Sequence, residues 1–284
     1  MGDVARYRLT IAYDGTCFHG WQKQDVPLDH PSSSHAIGDA FGEAGDERVP
    51  IRTVQHVVEQ GVRQVVRQPI ELIGASRTDA GVHALGQCAA FTCSEDVPRA
   101  PDERLARAIN DRLPEDVLVT SCERTRDDFD PIRDCESKAY RYTLCAQRER
   151  PLWDRRYVTH TRHVLDVDAM RKGAAFLVGE HDFASFAAAG HGRESTVRTI
   201  LSCQVSGECP GHVMIDVSGT GFLYNMVRII AGTLLEVGRG RLDGGDIPSV
   251  LEARDRARSG PTLGPEGLRL EWIRYPGDLD QTRG

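Results

Sequence analysis

Gly74-Ala-Ser-Arg-Thr-Asp-Ala-Gly-Val-His-Ala84 carries neither a helical nor a strand period. Short strand-like runs flank it, residues 70–73 before it and residues 87–93 after it, so the stretch is a loop presented from a sheet edge. Loops held on a rigid scaffold are frequent seats of chemistry. Asp79 has Arg77 two positions before it and the small residues Ala80 and Gly81 after it, which leave room for a ligand. A guanidinium nearby lowers a carboxylate pKa by ~1–3 units and keeps it ionised where burial would protonate it. Such a carboxylate can serve as a nucleophile or as an electrostatic stabiliser. The same residues can also form a plain turn closed by its own ion pair.

Outward from this loop, residues 6–13 alternate, with Tyr7, Leu9, Ile11 and Tyr13 on one side, and end at Asp14-Gly15. This is a half-buried strand. Thr53 can cap a helix with apolar positions Val54, Val57, Val58, Val62, Val65 and Val66, stopped before Pro69. Pro101 opens a second helix with Leu105, Ala108, Ile109 and Leu113 on one face, and a strand follows near residues 117–119. The first half therefore reads β-α-β-β-α-β, the order of a ferredoxin-like split unit. The second half repeats the plan. A strand at 138–146 carries Tyr140, Tyr142 and Leu144 on one face, and a helix is expected at 168–179. A hairpin spans 200–218, helices occupy 222–237 and 248–258, and a last strand covers 268–275. The expected fold class is α+β, with two ferredoxin-like halves, residues 1–130 and 131–284, related by a pseudo-twofold axis and leaving a cleft between them.

The chain has 284 residues, 40% hydrophobic and 27% charged, enough for a real core. No apolar run nears the ~20 residues that span a bilayer; the richest, residues 221–237, is broken by Asn225, Arg228 and Glu236. The first residues lack an apolar signal core, so no membrane association and a cytoplasmic location are expected. Eight scattered cysteines without a CxxC pair read as buried, reduced thiols. Neither metal-ligand spacing nor a Gly-rich phosphate loop is present, which disfavours a structural metal and most kinases, GTPases and dehydrogenases.

The net charge of −7 is uneven. Six acids against one arginine between positions 25 and 48 account for five of the seven negative charges. Rich in Gly, Ser, Pro and Asp, this stretch (about 25–50) reads as a flexible acidic insertion. Arginines cluster later, at 124, 126, 133 and 141 with Lys138, then at 148, 150, 155, 156 and 162. Such a run can line a phosphate-binding face or be a solvated surface paired with local acids. His83, His160 and His163 read as satisfied structural histidines.

The string RTDAGVHA with GQCAAF after it resembles the signature of the TruA family of tRNA pseudouridine synthases. Other blocks match in order: Tyr13-Asp-Gly-Thr-Cys-Phe-His-Gly-Trp-Gln-Lys-Gln24, Lys138-Ala-Tyr-Arg-Tyr142, Asp182-Phe-Ala-Ser-Phe186, Gly221-Phe-Leu-Tyr-Asn-Met-Val-Arg228 and Glu266-Gly-Leu-Arg-Leu270. The resemblance implies a homodimeric isomerase that converts uridines of the tRNA anticodon stem-loop (tRNA positions 38, 39 and 40) to pseudouridine without a cofactor. It implies Asp79 as nucleophile, Tyr140 stacked on the target uracil, and Arg228 paired with Asp79. It also implies Arg77 as the residue that displaces the base, Leu268 lining the pocket, and Arg141 with the substrate-binding residues.

Departures from the family wording are Ser76, where a glycine is usual, and Phe129-Asp-Pro-Ile-Arg-Asp134. Alternative readings are a synthase acting on other RNAs, a catalytically idle RNA-binding relative, and a hydrolase with Asp14 and Asp79 as paired carboxylates, which needs them ~5–9.5 Å apart.

Overall fold

The computed structural model describes residues 3–37, 47–188 and 195–278. The chain is α+β and divides into two compact units, Met1–Cys135 and Glu136–Gly284. Residues beyond 125 stay with the first unit partly through Phe129, which is buried, sits under the Arg8 guanidinium, and accepts from the Arg6 side chain.

In the first unit, β1 (Val4–Tyr13) buries Ala5, Tyr7, Leu9, Ile11 and Tyr13, the alternation the sequence carries. A ribbon of β2 (Asp25–Pro27) and β3 (Arg48–Pro50) closes over Val26, Val49 and Ile51. The two ends of the acidic insertion are thus paired. Its acids Asp39, Glu43 and Asp46 lie outside the described residues.

Helix α1 (Val54–Val66) buries Val54, Val58, Val62 and Val66, each contributing ~1.5–3 kcal/mol of apolar transfer. Thr53 stands at its N-cap position, yet its side chain makes no cap bond and its Oγ1 is buried without a hydrogen-bond partner. The first helical N–H groups are satisfied from elsewhere: Val54 and Gln55 donate to the carbonyls of Gly20 and Trp21. The long-range loop has displaced the local cap.

Strand β4 (Ile73–Gly74) is shorter than the sequence pattern suggests, because side chains of α1 take up the polar backbone of residues 70–72. β5 (His83–Ser94), α2 (Asp102–Asn110) and β6 (Val117–Thr125) complete the unit. The order β6-β1-β5-β4, all antiparallel, is 4-1-3-2 for a β-α-β-β-α-β chain, a split βαβ sheet.

The second unit has the same strand order within itself. β7 (Ser137–Ala146) is flanked by β11 (Gly211–Gly219) and β12 (Leu268–Arg274), with β10 (Val197–Gly207) beyond β11 and β9 (Gly179–Asp182) at the edge. β8 (Thr159–Thr161) pairs in parallel with the end of β7. Helices α3 (Val167–Ala175), α4 (Met226–Gly238) and α5 (Ile247–Ala253) belong to this unit.

All three of these helices are shorter than the sequence predicts; α3 stops at Ala175 rather than 179, since Gly179, at φ 114°, already opens β9. α4 begins at Met226 rather than 222 because Asn225 adopts a left-handed conformation, φ 59°, which ends helical periodicity on its N-terminal side. Left-handed Arg254 stops α5 before residue 258 in the same way. Within the described residues no helix is long and apolar enough to cross a membrane.

Candidate active site

The Asp79 loop is built from its backbone outward. Val82 N–H donates to the Asp79 carbonyl at 3.1 Å, and Gly81 between them has φ 80°. This is the positive φ required at the third residue of a type II turn, where glycine is the default. Asp79 is half-buried and Arg77 exposed. Before the turn, Ala75 N–H bonds the Cys88 carbonyl at 2.8 Å. The buried Gln87 amide grips Ser76 from both sides, accepting its N–H at 3.2 Å and donating to its carbonyl at 2.6 Å. The loop that carries Ser76 in place of glycine is thus held by a neighbouring strand.

The block at residues 13–24 forms the bed beneath this loop. Tyr13 Oη and Thr78 Oγ1 are 2.8 Å apart, and Trp21 N–H donates to the Thr78 carbonyl at 3.0 Å. Three glycines permit the close approach. A Cβ on Gly15 would sit 2.0 Å from the Val82 carbonyl oxygen. One on Gly20, itself at φ 89°, would sit 2.8 Å from that of Thr78, and one on Gly74 would fall 2.3 Å from the Trp21 ring. Trp21 is 1% exposed and packs under the loop.

Asp14, the second carboxylate of the hydrolase reading, caps the turn at Gly15–Cys17 by accepting from Thr16 N–H at 3.0 Å and Thr16 Oγ1 at 2.6 Å. His83 is buried, and its Nδ1 accepts from Gly15 N–H at 3.0 Å. The same Nδ1 lies 3.2 Å from Asp14 Oδ1.

In the second unit, Tyr140 on β7 is buried, and the Phe222 ring stands edge-on to it with centroids 5.3 Å apart. Such T-shaped pairs add ~0.5–1.5 kcal/mol beyond area burial. Tyr140 lies opposite Val217 on one side and Leu270 on the other, while the buried Leu268 pairs in register with Tyr142. Arg228, half-buried on the first turn of α4, donates through Nη1 to Asn225 Oδ1 and through Nε to the Leu263 carbonyl, both at 2.7 Å. Its guanidinium is therefore aimed by two fixed acceptors.

Arg141, on β7, is held by an acid of the neighbouring strand. Its guanidinium makes a two-pronged pair with Asp216 on β11, at 2.7 and 3.0 Å. Others of the arginine cluster are also paired: Arg124 with Glu95 at 3.0 Å, and both Arg126 and Arg133 with Asp134. The Arg133 hydrogen bond, reinforced by Asp130 N–H, holds the Asp134 carboxyl down to about 2. This part of the run matches the paired-surface reading of the sequence.

Cys93, Cys122, Cys145 and Cys203 are buried, and burial pushes each thiol up, Cys122 and Cys203 to about 12. They stay protonated and inert near neutral pH. Cys17, expected among the buried thiols, is exposed.

Beside the loop's bed, the rings of His19 and His35 are 5.1 Å apart. Burial, followed by the neighbouring His35 and His30, lowers the His19 pKa, and burial also lowers that of His56. On acidification the unfolded chain takes up these protons first, from the ordinary histidine value of ~6.5 downward. Stability is therefore full above that value and is lost as pH falls toward the folded-state values. The expected outcome is a lower Tm at about pH 5.5 than at about pH 7.5, with a smaller difference in His19→Gln; the check is thermal unfolding across this range.

Several contributors escape sequence reasoning. Phe222 and Asn225 lie in a quoted block but show their parts only through Tyr140 and Arg228. Gln87 has a usable signal, a polar residue immediately before the apolar run Cys88-Ala-Ala-Phe91 on the same strand. Gly15 and Gly20 lie in the quoted block at 13–24, but their close approach to Val82 and Thr78 shows only in the folded chain.

The profile of the family described as tRNA pseudouridine synthase matches residues 35–132 and 174–276, together most of the chain. The tRNA pseudouridine synthase A of Acetivibrio thermocellus is 36% identical over 268 residues, covering 94% of this chain and 98% of that protein. The enzyme of the same name from Caldicellulosiruptor saccharolyticus is 37% identical over 269 residues, and tRNA pseudouridine synthase A 2 of Clostridium tetani 38% over 272, each with 94% and 98% coverage. With similarity at this level along nearly its whole length, and with the blocks around Tyr13, Asp79, Tyr140 and Arg228 folded into these supports, the chain belongs to the TruA family of tRNA pseudouridine synthases.

Proposed function

We propose that this protein isomerises uridine to pseudouridine at positions 38, 39 and 40 of the tRNA anticodon stem-loop. The reaction breaks the N1–C1′ glycosidic bond, turns the base, and joins C5 to C1′. The C5 proton leaves and N1 regains one, so atoms and electrons balance without an external oxidant or reductant.

Asp79 is the nucleophile, through a transient bond to base or sugar. Extruding the base costs a few kcal/mol. Tyr140 offsets part of that by stacking on the uracil, an interaction of ~1–3 kcal/mol, and the exposed Arg77 helps displace the base from its stack. Arg228 pairs with the Asp79 carboxylate, Leu268 lines the uracil pocket, and Arg141 belongs to the substrate-binding set. In this reading the protein is a cytoplasmic homodimer that needs no cofactor.

The observation that carries the reading is the support under Asp79. Tyr13 and Trp21 bond Thr78, Gln87 grips Ser76, and Gly15 and Gly20 let the chain close on Val82 and Thr78, around a loop that leaves Arg77 exposed and Asp79 half-buried. So much rigid support for a half-buried carboxylate is costly for a mere turn and is what a reacting group needs.

The test is incubation with unmodified tRNA transcripts, followed by site-by-site mapping of pseudouridine. Conversion confined to positions 38–40 is expected. Conversion only elsewhere overturns the site assignment, and no conversion in any transcript overturns the activity.

A further inference from the structure

Helix α1 carries Gln55, Glu59 and Arg63 at four-residue spacing, on one face. Gln55 and Glu59 are 7% and 2% exposed. A buried amide and a buried carboxylate cost free energy unless they are hydrogen-bonded. Both are bonded, and to the same two residues, which lie almost fifty positions apart in the chain.

Gln55 Oε1 accepts from Lys23 N–H at 2.8 Å, and its Nε2 donates to the Leu72 carbonyl at 2.7 Å. Glu59 takes the Lys23 ammonium on both oxygens at 2.9 Å and the Leu72 N–H on Oε2 at 3.0 Å. Arg63 adds a bond to Glu59 Oε1 at 2.8 Å and a forked pair to the Ile70 carbonyl at 3.0 and 2.8 Å. The N–H and C=O of Leu72 are thus both held by side chains of one helix, which also hold the N–H and ammonium of Lys23.

These two residues have special places. Leu72 immediately precedes β4, the strand that leads into the Asp79 loop. Lys23 stands two residues after Trp21, whose N–H carries the loop at Thr78. The start of α1 continues the same connection, through Val54 and Gln55 N–H to Gly20 and Trp21.

We propose that Gln55 and Glu59 are positioning residues, a two-pronged clamp that ties the strand entering the Asp79 loop and the segment beneath that loop to one rigid helix. The catalytic part of this proposal rests on Asp79 being the reacting carboxylate. A hydrophobic contact could hold either segment against α1, but only directional bonds fix its register along the helix. An error of about 1 Å at a reacting group costs ~10²-fold in rate.

The experiment compares the full-length protein with its Glu59→Gln and Lys23→Met variants, singly and combined. Glu59→Gln keeps the shape and removes the charge. Lys23, whose side chain is 37% exposed, tolerates replacement should the Glu59 variant fail to fold. Two readouts are taken: amide hydrogen exchange, and kcat with tRNA affinity on a transcript.

In each variant, exchange over residues 75–84 is expected to quicken ~10-fold, while α2 and β6 keep their protection. kcat falls ~10–100-fold with tRNA affinity changed less than about twofold. The double variant is no worse than Glu59→Gln alone, since both break one clamp. Unchanged exchange in the loop, a uniform rise over the whole unit, or an unaltered kcat overturns the proposal. A wild-type protein that converts no transcript overturns the proposed activity instead, and the exchange pattern alone then decides whether the clamp exists.

Discussion

Asp79→Asn is expected to abolish pseudouridine formation, by about 10⁴-fold or more, while leaving tRNA affinity within about twofold. The substitution replaces one carboxylate oxygen with an amide nitrogen and changes little else. The turn that presents residue 79 closes through its backbone carbonyl and Val82 N–H, so the loop survives the change. The supports at Thr78 and Ser76 are also made by neighbouring residues and not by the Asp79 side chain. What disappears is the negative oxygen itself. An amide cannot form the transient bond, nor can it stabilise positive charge developing at the sugar. Single-turnover conversion of a transcript, measured beside filter binding, separates the two quantities. Conversion by the Asn variant at the wild-type rate would remove Asp79 from the chemistry.

Gly15→Ala is the second large effect, and it acts through shape alone. Gly15 is buried, and a Cβ there would lie 2.0 Å from the Val82 carbonyl oxygen and 2.5 Å from its carbon. Both atoms belong to backbone, so no flexible side chain can swing aside. The turn at residues 79–82 or the segment at 14–17 must shift by an ångström or more. Overpacking of this kind costs ~1–3 kcal/mol, and displacement of the loop lowers kcat ~10²-fold. Gly240→Ala is the contrasting case. That glycine has φ 70° with nothing within 4 Å of its Cβ position, so the change strains the local backbone without touching the Asp79 loop. Its Tm falls while kcat on a transcript holds. Wild-type values of both Tm and kcat in Gly15→Ala would show that the close approach of the two segments is dispensable.

Much of this architecture is legible from local pattern. The alternation of Tyr7, Leu9, Ile11 and Tyr13 predicts β1, and the valines from 54 to 66 predict α1, because burial of one face is a period any element must obey. The β-α-β-β-α-β order also follows from such periods. Element ends are a different matter. Thr53 has the residue type of an N-cap, but carbonyls from Gly20 and Trp21 reach the helix first. Ile70 to Leu72 have strand composition, but Arg63, Gln55 and Glu59 supply their bonds instead of a neighbouring strand. The left-handed turn at Asn225 removes four residues from a helix that apolar spacing extends.

The fold class, the β-α-β-β-α-β succession of the first half, the family resemblance and the loop that bears Asp79 are all readable along the chain. Each of these depends on periodicity or on the order of residues along the chain. The bed that Gly15, Gly20 and Trp21 make for that loop, the joint hold of Gln55 and Glu59 on Lys23 and Leu72, and the Arg141–Asp216 pair emerge only in the folded chain. These depend on which polar groups meet after distant segments have folded. Desolvation makes every buried donor and acceptor find a partner, but it does not say at what distance along the chain that partner stands.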